Sequence, residues 1–352
     1  MSTYFITSDM PLSPRLRRVV SSSLACLSDA ARQYPAYLRH AVWERLAVPA
    51  AGGAFPLVWM GDDGNVRVCS GYYAAEAGAR GVRVLFRRGL TGDEVQAEAY
   101  LTRLQCALTG AETLSTVGVA LDPSGLSEAE SMGLCRSLRE AMARLCPGSG
   151  EQLRAEDTPD RERGYLTGRA DGAGASPGEA VGCGLCEFAA ESLRLLAGRR
   201  PEGLTAAIRG TGAAARAAAK RGARMGLRLA PWEVGPDVVF LCDPSSPLGI
   251  AEARALLKRG TLAVFEGVFL ACTPPAAELL ADSGAIFAPA VSAGAGAAVL
   301  PPGRISWEAS RQLRRRMCGL IDLSLRAGND LCRGAYAAAL TAAADAMVLR
   351  GV

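Results

Sequence analysis

The spacing of apolar positions along this chain changes several times, and each change marks an element. Residues 15–48 carry apolar side chains three and four apart and read as helical. Pro56–Met60 and Val66–Tyr73 flank Gly61-Asp-Asp-Gly-Asn65, which predicts two strands joined by a hairpin turn. Gly81–Phe86 is a further strand. Thr91, with Glu94 three residues on, forms a capping box that opens a helix to about Leu108, and Leu126-Ser127 opens another that ends near Leu145. Residues 147–178 are rich in Gly, Asp, Arg and Pro and read as an inter-domain connection or loop.

Beyond this stretch, short apolar runs alternate with helical patterns. Residues 179–198 are helical, with Leu185, Phe188, Leu193 and Leu196 on the apolar side. Strands are expected at Leu204–Arg209, Met225–Ala230, Asp237–Cys242, Thr261–Glu266 and Ala285–Ala288, with helices at Ala213–Arg221, Ala251–Arg259 and Pro274–Ser283. This alternation implies βαβ units and a parallel sheet. Long helical segments from Ser306 close the chain.

Gly210-x-Gly212-x-x-Ala215 lies between a strand and a helix, as in a dinucleotide-binding turn. The first glycine permits the tight turn, the second lets a pyrophosphate approach the backbone, and the small third residue lets helix pack on strand. The acidic ribose clamp expected about 20 residues later is missing from Leu229-Ala230-Pro231, leaving Glu233 as the nearest substitute. The chain then passes from Ala230 to the next strand at Asp237 with no room for a crossover. The fold predicted is α/β, with an N-terminal α/β domain (1–165), a shortened Rossmann-like dinucleotide-binding domain (166–305) and C-terminal helices (306–352) packing back on the first.

Composition adds limits. The formal net charge of +4 over 352 residues does not indicate nucleic-acid binding. The stretch 284–303 is too weakly apolar to span a bilayer, and Pro11 and Pro14 fall where a signal peptide would need its apolar run. A cytoplasmic chain is therefore expected, with its eleven cysteines reduced. Cys183-x-x-Cys186 is unaccompanied and His40 is the sole histidine, so no metal site is expected. Lys220 and Lys258 are the only lysines, against 37 arginines.

The order of segments resembles the glutamate/leucine/phenylalanine/valine dehydrogenase family. The matching segments are Asp62-Asp-Gly-Asn-Val-Arg-Val with Ser70-Gly-Tyr, Ala79-Arg-Gly81, Thr91-Gly-Asp-Glu-Val95, Cys106-Ala-Leu108, Asp122-Pro with Leu126-Ser-Glu128, Glu179-Ala-x-Gly182-x-Gly184, Phe265-Glu-Gly267, Ala276 with Glu278, and Ala335-Tyr-Ala337 with Ala346-Met347 and Arg350-Gly351. The resemblance implies an NAD- or NADP-dependent amino-acid dehydrogenase that assembles through its N-terminal domain.

Against that pattern the chain lacks the family's lysines. The Lys-Gly-Gly after the Ala-Arg-Gly turn is replaced by Val82-Arg-Val-Leu-Phe-Arg-Arg88, the lysine before Cys-Ala-Leu is Gln105, and the catalytic lysine falls at Thr116 or Val117. Arg stays protonated and cannot shuttle the proton such a lysine would. The family's acid/base aspartate aligns with Asp157. On the cofactor side, Thr-Gly-Arg-Gly becomes Val181-Gly-Cys-Gly184, Glu-Gly-Ala-Asn becomes Glu266-Gly-Val-Phe269, and Asn-Ala-Gly-Gly becomes Ala293-Gly-Ala-Gly296. Three readings follow. The first is a catalytically inactive homo- or hetero-oligomer subunit, assembled with itself or an active paralogue. The second is an active NAD(P)-dependent enzyme with Asp157 as base and Gln105, Arg83 or Arg87 holding the substrate carboxylate. The third is an amino-acid or nucleotide sensor.

Overall fold

The computed structural model describes residues 10, 12–146, 152–168, 176–300 and 305–351; the side chains of Gln152, Ala155, Glu156 and Asp157 lie outside the described set. The N-terminal stretch read as helical is four short helices: α1 (Pro14–Leu24), α2 (Asp29–Arg32), α3 (Pro35–Arg39) and α4 (Val42–Ala47). Ser28 caps α2 by accepting from the Ala31 N–H, and Pro35 starts α3 because it cannot continue the helix before it.

The first sheet comprises β1 (Ala51–Met60), β2 (Val66–Ala75), β3 (Gly81–Phe86), β4 (Leu114–Val119) and β5 (Gln152–Asp157), in the order β1-β2-β4-β3-β5. β1, β2 and β4 pair antiparallel, whereas β3 lies parallel to both β4 and β5. Helix α5 (Gly92–Thr109) follows β3, α6 (Glu128–Leu145) follows β4 and α7 (Asp160–Thr167) follows β5. The expected capping box of Thr91 with Glu94 forms, and a second forms between Ser127 and Glu130. The stretch expected to be a connection thus contains β5 and α7, while residues 147–151 and 169–175 of it lie outside the described residues.

Helix α8 (Pro177–Leu196) leads to the second sheet. Its strands are β6 (Thr205–Arg209), β7 (Arg228–Leu229), β8 (Val238–Leu241), β9 (Ala263–Glu266) and β10 (Ile286–Ala288), all parallel, in the order β10-β9-β8-β6-β7. Helices α9 (Ala213–Arg224), α10 (Ile250–Lys258) and α11 (Pro274–Ala281) connect them. A complete doubly wound nucleotide fold carries a further strand beyond the second one. Here β7 is the edge, so the shortened Rossmann-like sheet expected from the 230–237 spacing is present. β7 itself is only two residues long, because Met225 caps α9 and Gly226, at φ +86°, turns the chain.

The chain ends with α12 (Gly296–Val299), α13 (Trp307–Ala327) and α14 (Leu331–Leu349). α14 packs on α5 and α1, and the Tyr37 hydroxyl donates to Asp345 Oδ1 at 2.6 Å. Both lysines are exposed on helices of the second sheet, Lys220 on α9 and Lys258 at the end of α10. No described helix is long and apolar enough to cross a membrane.

Candidate functional site

A cavity of about 510 Å³ lies between the C-terminal ends of the two sheets' parallel strands. Its first wall comes from β3 and α5. Glu98, Thr102 and Gln105 project from one face of α5 at four- and three-residue spacing, and all three are buried. Arg83 Nη1 bonds Glu98 Oε2 at 2.6 Å, and Arg87 Nη2 bonds Glu98 Oε1 at 3.2 Å. One carboxylate therefore spans two guanidinium groups. Gln105 Nε2 donates to the Ala290 carbonyl at 2.9 Å, tying α5 to the second half.

The opposite wall, from Thr211 to Ala214, is entered through Gly210, which has φ +119° and sits where a Cβ would lie 2.8 Å from the Cys242 carbonyl oxygen. Only glycine suits that turn. Around Gly212 a Cβ would meet open space, and the N-terminal turn of α9 faces the cavity. Ala215 is buried, as the third position of such a turn requires. Arg216 also borders the cavity, bonding the Thr211 carbonyl at 2.8 Å.

At the centre stands Phe269, only 4% exposed, with the Arg83 guanidinium carbon 5.0 Å from its ring centroid. That contact joins the two halves and is worth up to about 2 kcal/mol when desolvated. Behind it, Glu266 accepts from the Cys272 N–H at 2.8 Å and the Ala290 N–H at 3.3 Å, and burial pushes its carboxyl up to about 7. Ala290 is thus held by Glu266 through its N–H and by Gln105 through its carbonyl.

The positions aligned with the catalytic lysine lie elsewhere. Thr116 and Val117 are buried in β4 and border none of the cavity; Thr116 Oγ1 has no hydrogen-bond partner among the described residues. The cavity's cations are Arg83, Arg87 and Arg216, and neither lysine reaches it. Asp157 ends β5, its Cα opposite Leu85 just past a bulge, and its side chain is outside the described set. Its near neighbour Asp160 does border the cavity and pairs with Arg163 at 2.9 Å. Glu233 is exposed on a 3₁₀ turn away from the cavity. Cys183 and Cys186 are free thiols one helical turn apart on α8, and Cys186 Sγ packs toward α9, 3.3 Å from the Ala218 carbonyl oxygen. No group of metal-ligating side chains occurs among the described residues.

A dinucleotide fits this site in part. The Gly210–Gly212 turn and the α9 N-terminus suit a pyrophosphate. The adenosine side does not fit: β7 is a two-residue edge, no strand lies beyond it among the described residues, and Glu233 does not border the cleft. On the other side, Gly267, Phe269 and Gly294 line the cavity together. The retained glycines there have packing roles. A Cβ on Gly182 would lie 2.2 Å from the Ala214 oxygen, on Gly294 2.5 Å from the Gly267 oxygen, and on Gly296 2.0 Å from the Ala180 oxygen.

Glu98 and Phe269 are the residues whose roles sequence reading missed. Glu98 had a signal, being a charged residue in line with buried Gln105 on one helix face. Phe269 registered only as a lost asparagine.

Known proteins agree with this architecture. Residues 227–351 match the sequence profile of the Glutamate/Leucine/Phenylalanine/Valine dehydrogenase family. The chain is 24% identical to NADP-specific glutamate dehydrogenase of Salmonella typhi, covering 97% of this chain and 96% of that one, and 23% identical to the Escherichia coli K12 enzyme over the same shares. The Salmonella typhi alignment spans 432 positions, more than this chain's 352 residues, so the chain carries deletions relative to that enzyme. Among solved structures, a glutamate dehydrogenase superposes with TM-score 0.86 at 21% identity, covering 96% of this chain and 95% of that one. The hetero-hexameric glutamate dehydrogenase of Thermus thermophilus, in a Leu-bound form, gives 0.80 at 22%, covering 97% and 98%. The profile match in its C-terminal third, the full-length relatives and the shared two-sheet fold make this chain similar to the glutamate/leucine/phenylalanine/valine dehydrogenase family.

Proposed function

We propose that this chain is a glutamate/leucine dehydrogenase-like protein whose reaction is lost or strongly impaired, and that it serves as a structural or regulatory subunit. The observation that carries this reading is the state of the cleft's buried cation. Arg83 is held by Glu98 on one side and by the Phe269 ring on the other, and a guanidinium cannot give up and retake a proton as the family's lysine does. Losing one preorganised charge-stabilising group typically costs about 10²–10³ in rate. The lysine-free cleft and the missing nucleotide strand support the same conclusion. NAD or NADP remains the dinucleotide class that the α9 turn would accept, and the cytoplasm remains the expected location.

The expected result with purified protein, NADH or NADPH, ammonium and a panel of 2-oxo acids is turnover below about 1 s⁻¹, the lower end of ordinary enzyme rates. Faster turnover with any of them would sink the proposal.

Assembly with another copy, or with an active relative, is the role proposed instead of chemistry. The β1–β2 hairpin supports it. Val58 pairs with Val68 and Met60 with Val66, and all four side chains stand 47–63% exposed on the outer face. A contiguous apolar patch of this kind marks an interaction surface. The double variant Val58→Asp, Val68→Asp is expected to reduce the assembly to monomer by sedimentation, with the fold kept. A sedimentation profile identical to the parent's would remove the hairpin from the interface.

A further inference from the structure

A second chamber, of about 530 Å³, lies behind the cleft. Helix α1 forms one wall, presenting Arg15, Arg18, Val19 and Ser22 as a single stripe at helical spacing, with Cys26 just past its end. Helix α11 forms the facing wall with Pro274, Ala277 and Glu278. Cys332 and Tyr336 come from α14, and the floor is Glu266, Phe269, Leu270 and Cys272.

The lining is mainly apolar, so water inside it has few partners. The Tyr336 hydroxyl makes no hydrogen bond to the described residues. Leu270 adopts φ +60°, a left-handed conformation that leucine rarely occupies. Backbone strain of this sort gathers at ligand-binding places.

Charge at the mouth is asymmetric. Arg15 pairs with Glu94, and Arg333 with Asp282 and Asp330. Arg18 has only the Pro14 carbonyl, at 3.3 Å, and no acidic partner among the described residues. Glu278 on the opposite lip likewise has no ion pair among them. One guanidinium is therefore free to take one carboxylate. Glu278 at the lip and Glu266 at the floor oppose a second one.

We propose that this chamber binds a monocarboxylate with an apolar chain, its acid group on Arg18 and its chain between α1, α11 and Leu270. The site is separate from the cleft, and its occupancy does not depend on whether the family's reaction survives. Pro244, Phe269 and Ala290 face both cavities, so an occupant here bears on the cleft through the ring that packs under Arg83.

Titration calorimetry with octanoate, its dicarboxylate counterpart suberate, and octylamine tests this. Octanoate is expected to bind, with the other two at least about tenfold weaker. Arg18→Ala should weaken octanoate by about tenfold, the size of one charged hydrogen bond. Ala277→Trp, which fills the chamber, should abolish binding; if that variant fails to fold, Ser22→Trp fills it from exposed α1. Arg216→Ala, in the cleft, should leave binding unchanged. The proposal is overturned if octanoate gives no heat, if suberate or octylamine binds as tightly, or if Arg18→Ala and the filling variant both bind octanoate like the parent.

Discussion

Replacing Glu98 by alanine is expected to lower the free energy of unfolding by about 3–5 kcal/mol, the usual cost of removing one partner from a buried ion pair. Glu98 is 1% exposed and stands between Arg83 and Arg87, whose side chains are 4% and 11% exposed. Without it, two guanidinium groups remain close together in a place poorly reached by water, and the repulsion between them adds to the desolvation cost. Glu98→Gln, which keeps shape and one acceptor but no charge, should fall between the parent and alanine. Urea unfolding at neutral pH provides the measurement. A loss under about 1 kcal/mol for alanine would mean that the arginines are solvated instead. The cleft would then be open to a substrate carboxylate, and the proposed loss of reaction would be weakened along with the ion-pair reading.

The second large effect concerns Gly296. Its Cβ would stand 2.0 Å from the Ala180 carbonyl oxygen and 2.9 Å from the Val181 Cα, both backbone atoms of α8. No side chain can swing aside to relieve the clash, so α8 and α12 must separate. Overpacking costs typically about 1–3 kcal/mol and more where the backbone must move, and Gly296→Ala is expected at or above the top of that range. The same substitution at Gly212, where a Cβ meets open space, should cost little. Thermal unfolding of the two variants separates glycines kept for packing from the one kept for approach to a ligand. Equal melting temperatures would contradict the assignment of Gly296 to packing.

Much of the fold was legible because it is locally encoded. The capping boxes of α5 and α6 each lie within four residues, and the turn of the β1–β2 hairpin is closed by Asp63 accepting from Asn65. The missing nucleotide strand was legible by arithmetic, since too few residues separate Ala230 from Asp237. β5 escaped because Gln-Leu-Arg-Ala-Glu-Asp offers only Leu153 and Ala155 as apolar positions, inside a stretch rich in Gly, Asp, Arg and Pro; its pairing with β3 comes from the tertiary fold. The helical character of residues 15–48 was legible, but not the breaks that Ser28 and Pro35 impose, because apolar spacing continues across them.

The site was legible by position but not by partnership. Arg83, Arg87 and Gln105 do border the cleft, as do Thr211 and Gly212. No local pattern announces that Arg83 stacks on Phe269 or that Gln105 bonds Ala290, since each contact joins residues about 185 positions apart. The second chamber was less accessible still. Its walls come from stretches far apart in the chain, and Arg18 differs from Arg15 and Arg333 in having no acidic partner among the described residues.

The placement of the two lysines governs how any assembly of this protein can be mapped. Reagents that join primary side-chain amines meet only Lys220 and Lys258, both on helices flanking the second sheet. Such reagents leave the hairpin side silent even when two copies meet there. Carboxylate-directed coupling suits that surface better, because Asp62 and Asp63 stand at the hairpin tip.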